Sequence, residues 1–314
     1  MSIIVRPVAG HIGADISNVD ISQPLSTDTV QDIRDALHTY KVIFFRGQQL
    51  DHASQIAFGR QFGELTYAHP HDDTPPEDFP EIYTVDPKRY EKKYGAEFGV
   101  ASRRRRYSYY TGWHTDVTAA VNPPAGSILR AEVVPDIGGD TQWTNLVAAY
   151  EGLSEPVKAF VDTLRAEHRY GGGYQITAGS KYSKVVEDNL LVAIHPVVRV
   201  HPVTGEKGLF VNPGFTSHIV GVSARESKAV LDLLYAELTR PEYTVRLRWA
   251  KGTVAFWDNR ATAHLAPSDI EHLEVQRTLH RVTLTGERPV GPDGQESELV
   301  AGKEFTAKHT VLVD

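Results

Sequence analysis

The segment GWHTDV places His114 and Asp116 two positions apart, and on an extended chain that spacing points both side chains to one face. An imidazole beside a carboxylate is either a pair of metal ligands in need of a third, or a surface histidine next to a turn aspartate. The chain holds 14 histidines, so most of them must serve the core or the surface. His264 differs in its setting. In TVAFWDNRATAHLAP an apolar stretch ends at Trp257, a polar WDNR turn follows, and the histidine comes just beyond it. Two neutral imidazoles and one carboxylate form the facial set that holds Fe(II) and leaves positions open for a co-substrate and oxygen.

Composition narrows the chemistry. The chain contains no cysteine, which removes disulfides, thiolate metal sites, iron–sulfur clusters and a cysteine nucleophile, and fits a cytoplasmic protein. A formal net charge of −7 argues against general nucleic-acid binding, which needs a basic surface. The run Arg103-Arg104-Arg105-Arg106 reads as a solvated loop. No stretch approaches about 18 uninterrupted apolar residues, so no membrane span is expected. The start, MSIIVRPVAGHIGADI, reads as a strand of the fold and not as a signal peptide. With 41% hydrophobic and 23% charged residues over 314 positions, a sizeable core and a soluble globular fold are expected. There is no internal repeat, low-complexity tract or domain boundary, so residues 1–314 read as a single domain.

Elements able to position such a site follow from the pattern. Val30, Ile33, Ala36, Leu37 and Tyr40 share one helical face, with Ser26 or Thr27 as cap. That helix runs into a buried strand from Lys41 to Arg46, and a second helix covers Asp51 to Phe62 with Asp51 as cap. Residues 66–112, with TPPEDFP, a charged run and the arginine cluster, read as a long lid or binding loop. Beyond Trp113 short strand candidates recur: GSILRAEVV, DTQWTN, LLVAIHPVVRV, GLFVNP, TVRLRWA, TVAFWDN and RTLHRVTLTG. Helices opening at Ser154-Glu155-Pro156 and at the Ser223/Glu226 capping box interrupt them. Many short strands with a few outer helices predict an α+β, mostly β fold, a sandwich or barrel of jelly-roll type.

WHTDVT, PPAGSILRAE, GGDTQWTN, AAYEGLS, LRAEH, HPVVRVHPVTGEKGLFVN, WDNRATAH and HRVTLTGERPV together resemble the taurine dioxygenase (TauD/TfdA) family. This is a family of Fe(II)/2-oxoglutarate-dependent oxygenases with alkylsulfatase-type branches. The match runs from AGHIGADISNVDIS to about residue 290. It implies a double-stranded β-helix (jelly roll) with flanking helices and Fe(II) held by His114, Asp116 and His264. It also implies 2-oxoglutarate and O2 as co-substrates, with the distal carboxylate on Arg277 and a hydrogen bond from Thr141. By the same motifs Arg281, aided by His69 of AHPHDD, binds the anionic end of the substrate.

Departures from taurine dioxygenase concern the pocket wall. Two polar residues that contact taurine there are replaced, by offset, with Tyr109 and Tyr110, and the preceding loop is longer. Tyr170, in EHRYGGGY, falls where the family has a pocket aromatic; in loops, such tyrosines can also serve packing alone. His71 has no counterpart and reads as loop. The expected substrate is a small-to-medium organic anion (carboxylate, sulfonate or sulfate ester) other than taurine, oxidised at an aliphatic C–H with release of succinate and CO2. A specialised metabolite such as a terpenoid acid fits the same chemistry. A homo-oligomer is expected. Two other classes share the features: a zinc hydrolase using the same three ligands, and a non-catalytic jelly-roll binding protein.

Overall fold

Val42 to Phe45 form a strand in which every residue is buried, because both faces of the sheet around it are covered. The computed structural model describes residues 2–71, 74–94, 110–170, 181–266, 269–270 and 272–307. Strands are numbered along the chain. Among the described residues the largest sheet has seven, in the order β1 (Ile4–Pro7), β2 (Ala14–Ser17), β3 (Val42–Phe45), β13 (Val254–Asp258), β5 (Gly126–Val133), β15 (Thr278–Leu284) and β4 (Tyr83–Val85). A second sheet runs β12 (Thr244–Leu247), β6 (Thr141–Asn145), β14 (Thr262–Leu265). A third runs β11 (Thr216–Ile219), β7 (Arg165–Arg169), β8 (Val192–Pro196), β16 (Glu298–Ala301). β10 (Lys207–Leu209) pairs with β9 (Val198–Val200).

Alternation along the central strands assigns the faces. Ile43, Phe45, Val254, Phe256, Ile128 and Val282 point outward to helices α1 (Thr27–Tyr40) and α2 (His52–Arg60), where Ile33, Leu37, Ile56 and Phe58 meet them. Val42, Phe44, Ala255, Trp257, Leu129 and Leu279 point inward, against Trp143, Val245, Leu247 and Trp249 of the second sheet and its flank. The inner layer is therefore a sheet-on-sheet core, and Arg281, two residues past Leu279, shares its side of β15. Both helices begin where the sequence places them. Ser26 accepts from Thr29 N, and Asp51 with Ser54 closes a reciprocal capping box; an N-cap of this kind contributes about 1 kcal/mol.

The expected loop of residues 66–112 is interrupted. Tyr83–Val85 is an edge strand paired with β15, Tyr83 opposite Arg281, and Pro87–Tyr94 is helical. The strand has three residues and its partner lies far along the chain, so no local pattern announces it. Tyr109 and the Arg103–Arg106 run lie outside the described residues. The N-terminal stretch forms two antiparallel strands, β1 and β2, where a single strand is expected. No helix among the described residues is long and apolar enough to cross a membrane.

Candidate active site

β14 carries His264 opposite Trp143 of β6. On its free side the backbone of His264 exchanges two hydrogen bonds with His114, from His114 N to His264 O (2.9 Å) and from His264 N to His114 O (2.7 Å). Thr115 Oγ1 adds a bond to Thr262 O (2.8 Å). The HTD segment is thus a partial extra strand beside β14, which brings the distant histidines together. The chain then turns at Val117, whose φ of 50° lies in the left-handed region. For a β-branched residue this costs about 1–3 kcal/mol, a strain that clusters at functional sites.

The donor atoms of His114, Asp116 and His264 lie within 4.8 Å of one another. The two imidazole centroids are 4.2 Å apart, and His264 Nε2 stands 3.8 Å from Asp116 Oδ1. His114 Nδ1 is 2.9 Å from Gly112 O. A carbonyl only accepts, so Nδ1 carries the proton and Nε2 keeps its lone pair. Burial, and then the neighbouring His114, pull the His264 pKa down to about 3, so its ring is neutral at physiological pH. Burial works to raise the Asp116 pKa, but Arg281, His264 and His114 outweigh it and hold the carboxyl well below the usual range. His264 Nδ1 is buried with no hydrogen-bond partner among the described residues. With the proton on that Nδ1, the Nε2 that faces Asp116 keeps its lone pair for a metal. Two neutral nitrogens and an ionised oxygen are a donor set suited to Fe(II).

A second cluster of the same composition, His38, His201 and Asp258, behaves differently. His201 Nδ1 accepts from Val203 N and Thr204 N, both at 3.1 Å, so its proton sits on Nε2 and is donated to Asp258 Oδ2 at 2.9 Å. Arg260 pairs with the same carboxylate. His201 has no lone pair left for a metal, and the network braces the turn that follows β13.

Arg277 and Thr141 lie beside each other at the mouth of the sheet-on-sheet core. Arg277 is buried, donates Nε–H to Gly139 O (2.8 Å) and reaches Thr141 Oγ1 with Nη2 (3.4 Å). Among the described residues no carboxylate forms an ion pair with it. Burial lowers its pKa to about 10, still charged at neutral pH. Trp249 Nε1 also donates to Thr141 Oγ1 (2.9 Å). An indole N–H and a guanidinium can only donate, so the Thr141 hydroxyl receives both and has its own proton left to give. Gly139 has φ +68°, and a Cβ there would sit 3.1 Å from Arg277 Cδ, so this glycine lets the guanidinium lie flat against the turn.

Arg281 meets Asp116 directly, Nη1 on Oδ1, with its guanidinium carbon 4.8 Å above the Tyr83 ring. Its Nε is buried and has no acceptor among the described residues. On the other side of this corner His69 stacks on Tyr83 (4.8 Å, 21°). His69 Nδ1 accepts from His71 N (3.1 Å), so Nε2 carries the proton and donates to the Tyr170 hydroxyl at 2.7 Å. Burial raises the Tyr170 pKa well above its ordinary value, so the phenol keeps its proton and can donate it onward. His71, expected only as loop, bonds Asn189 O through Nε2 (2.8 Å) and sets its ring 4.0 Å from Tyr170. Tyr110 takes a different course: its ring packs on Tyr235 (5.2 Å) and its hydroxyl donates to Asp232 (3.2 Å), both on the helix Ala224–Leu238.

Tyr83, Trp249 and the polar residues around Asp116 are not marked as site residues by the sequence motifs. Trp249 shows only as the apolar phase of TVRLRW, and Tyr83 belongs to the strand that carries no local signal.

A family model for taurine catabolism dioxygenases of the TauD, TfdA family matches residues 4–283. An alpha-ketoglutarate-dependent sulfate ester dioxygenase of Pseudomonas putida is 41% identical over 301 residues, covering 93% of each chain. An alkylsulfatase of Acinetobacter baylyi is 36% identical over 312 residues, covering 97% of this chain and 92% of the relative. The crystal structure of a taurine dioxygenase from Burkholderia xenovorans superposes with a TM-score of 0.84 at 46% identity and covers the whole of both chains. The chain belongs to the TauD, TfdA family and is a dioxygenase that uses Fe(II), 2-oxoglutarate and O2.

Proposed function

We propose that this dioxygenase acts on alkyl sulfate esters or sulfonates other than taurine, oxidising the aliphatic carbon next to the anionic group. The observation that carries the reading is the buried Arg281 guanidinium beside Asp116, with an Nε still lacking an acceptor among the described residues. An arginine fork and a phenol donor facing one corner suit a multi-oxygen anion, each oxygen taking a charge-assisted or hydroxyl hydrogen bond. The names of the Pseudomonas and Acinetobacter relatives, sulfate ester dioxygenase and alkylsulfatase, support the same anion class.

In this reading His114 Nε2, Asp116 Oδ1 and His264 hold the metal. Arg277 and the Thr141 hydroxyl hold the far carboxylate of 2-oxoglutarate. Arg281 and Tyr170 fix the substrate anion, and Tyr170 is itself oriented by His69. Phe215, edge-on to both His114 (6.3 Å) and Tyr170 (5.0 Å), walls the space between metal and anion corner against water. Fe(II) with 2-oxoglutarate and O2 supplies the oxidant for C–H cleavage, and the co-substrate leaves as succinate and CO2. When the oxidised carbon carries a sulfate ester, the hydroxylated product R–CH(OH)–OSO3⁻ breaks its C–O bond to give RCHO and hydrogen sulfate. The residues' work is placement: reacting carbon, anion and co-substrate held at fixed separations. In this reading the sheets described above close into a double-stranded β-helix within a single domain.

A panel of alkyl sulfates, sulfonates including taurine, aryloxy acids and terpenoid acids, scored by succinate release, tests the proposal. Alkyl sulfates or non-taurine sulfonates should lead the panel, with aldehyde and the freed anion formed in equal amounts. Taurine or a terpenoid acid as the preferred substrate would remove it.

A further inference from the structure

The other oxygen of Asp116, Oδ2, faces away from His264 and takes a hydrogen bond from Ser127 Oγ at 2.6 Å. Ser127 Oγ in turn accepts from Asn259 Nδ2 (2.8 Å), and Asn259 Oδ1 accepts from Trp257 Nε1 (2.8 Å). All four residues are buried: Trp257, Asn259, Ser127 and Asp116. The chain of bonds has one direction. An indole N–H can only donate, so the Asn259 amide must turn its oxygen to Trp257 and its NH2 to Ser127. The Ser127 hydroxyl, receiving that donor, must give its own proton to Asp116 Oδ2. The order of donors runs inward from the core to the carboxylate, with no alternative orientation that keeps every bond.

We propose that Ser127 and Asn259 are positioning residues that commit Asp116 Oδ2 to the protein and present Oδ1 alone to the metal. The proposal rests on the reading of His114, Asp116 and His264 as ligands. The geometry supports it from both ends. Oδ1 is the oxygen that faces His264 Nε2 at 3.8 Å and meets Arg281, and its two lone-pair directions allow it to serve a cation and a guanidinium together. Ser127 lies directly opposite Trp257 in the pairing of β5 with β13, and Asn259 follows β13 at once. The relay is therefore built into the central strands and not into a loop. A carboxylate gripped on one oxygen binds in a one-oxygen mode, which keeps a coordination position free for co-substrate or oxygen.

The test is anaerobic titration of the metal-free protein with cobalt(II), reading Kd and the visible ligand-field spectrum. Ser127→Ala and Asn259→Ala should each raise the cobalt Kd about 10- to 100-fold and shift the ligand-field bands, as the carboxylate is freed to bind through both oxygens. Ser127→Thr keeps a hydroxyl and should return both readouts toward wild type. Circular dichroism checks the fold of each variant, and the two alanine positions decide independently if one fails to fold. Wild-type Kd and spectrum in a folded alanine variant overturn the relay. His264→Ala is the control for the underlying reading: cobalt binding as tight as wild type there overturns the ligand triad, and the relay with it.

Discussion

If Arg277 holds the far carboxylate of 2-oxoglutarate as proposed, Arg277→Ala removes that charge, and the structure sets the size of the loss. The guanidinium is 7% exposed and bonded to Gly139 O and Thr141 Oγ1, but among the described residues no carboxylate pairs with it. Its pKa of about 10 leaves it cationic at neutral pH. Breaking a buried charged pair by deleting one partner costs about 3–5 kcal/mol. At about 1.4 kcal/mol per tenfold, the Kd for 2-oxoglutarate should rise roughly 150- to 5,000-fold. The lower end is expected, because Trp249 still holds the Thr141 hydroxyl, which keeps one hydrogen bond to the ligand. The assay is calorimetric titration of the metal-loaded enzyme without oxygen, run in parallel with pyruvate, which has the keto acid but no distal carboxylate. The cycle isolates the pair: 2-oxoglutarate should weaken and pyruvate should not. Equal weakening of both ligands, or a 2-oxoglutarate Kd within about threefold of wild type, would refute the assignment.

Tyr170→Phe deletes the hydroxyl that His69 orients, so kcat/KM for the anionic substrate should fall about tenfold while substrate-free consumption of 2-oxoglutarate is unchanged. An unchanged kcat/KM would mean that Tyr170 only packs the pocket. Acid stability has a separate origin in His168 and His195, both fully buried with both ring nitrogens hydrogen-bonded. Burial pulls both pKa values down, that of His195 to about 3, so the unfolded chain binds more protons below the ordinary value near 6.5. Their stabilisation is therefore complete above pH ~6.5 and is lost as pH falls, by about 1.4 kcal/mol per unit for each ring. Urea unfolding of the metal-free protein should lose about 2 kcal/mol less between pH 7.5 and 5.0 in His195→Gln than in wild type. Identical pH dependence in the two would rule out this source.

Much of the scaffold is legible in the sequence because its signals are local. Ser26, Asp51 and Ser223 cap their helices through side chains that reach the next turn, and VIFF reads as a buried strand because all four residues are apolar. The strand that carries His264 is less visible: after WDNR, the short TAHL gains its identity only by pairing with β6 and with His114. β4 is invisible for the same reason, and with it Tyr83, which stacks on His69 and lies under Arg281. The juxtaposition of His114, Asp116 and His264 is reachable only through motifs, since no spacing rule joins residues so far apart. Ser127 and Asn259 sit inside two of those motifs, PPAGSILRAE and WDNRATAH. Their link is a hydrogen-bond direction, which a sequence does not carry.

Dioxygenase chemistry on this chain requires an open iron site that takes a keto acid. Adding Fe(II) and then 2-oxoglutarate to the protein without oxygen measures this directly. Such a site gives a weak visible charge-transfer band in the wild type that disappears in His264→Ala. A wild-type protein that stays colourless under these conditions, and hydrolyses its anionic substrate without oxygen when loaded with zinc, would contradict it.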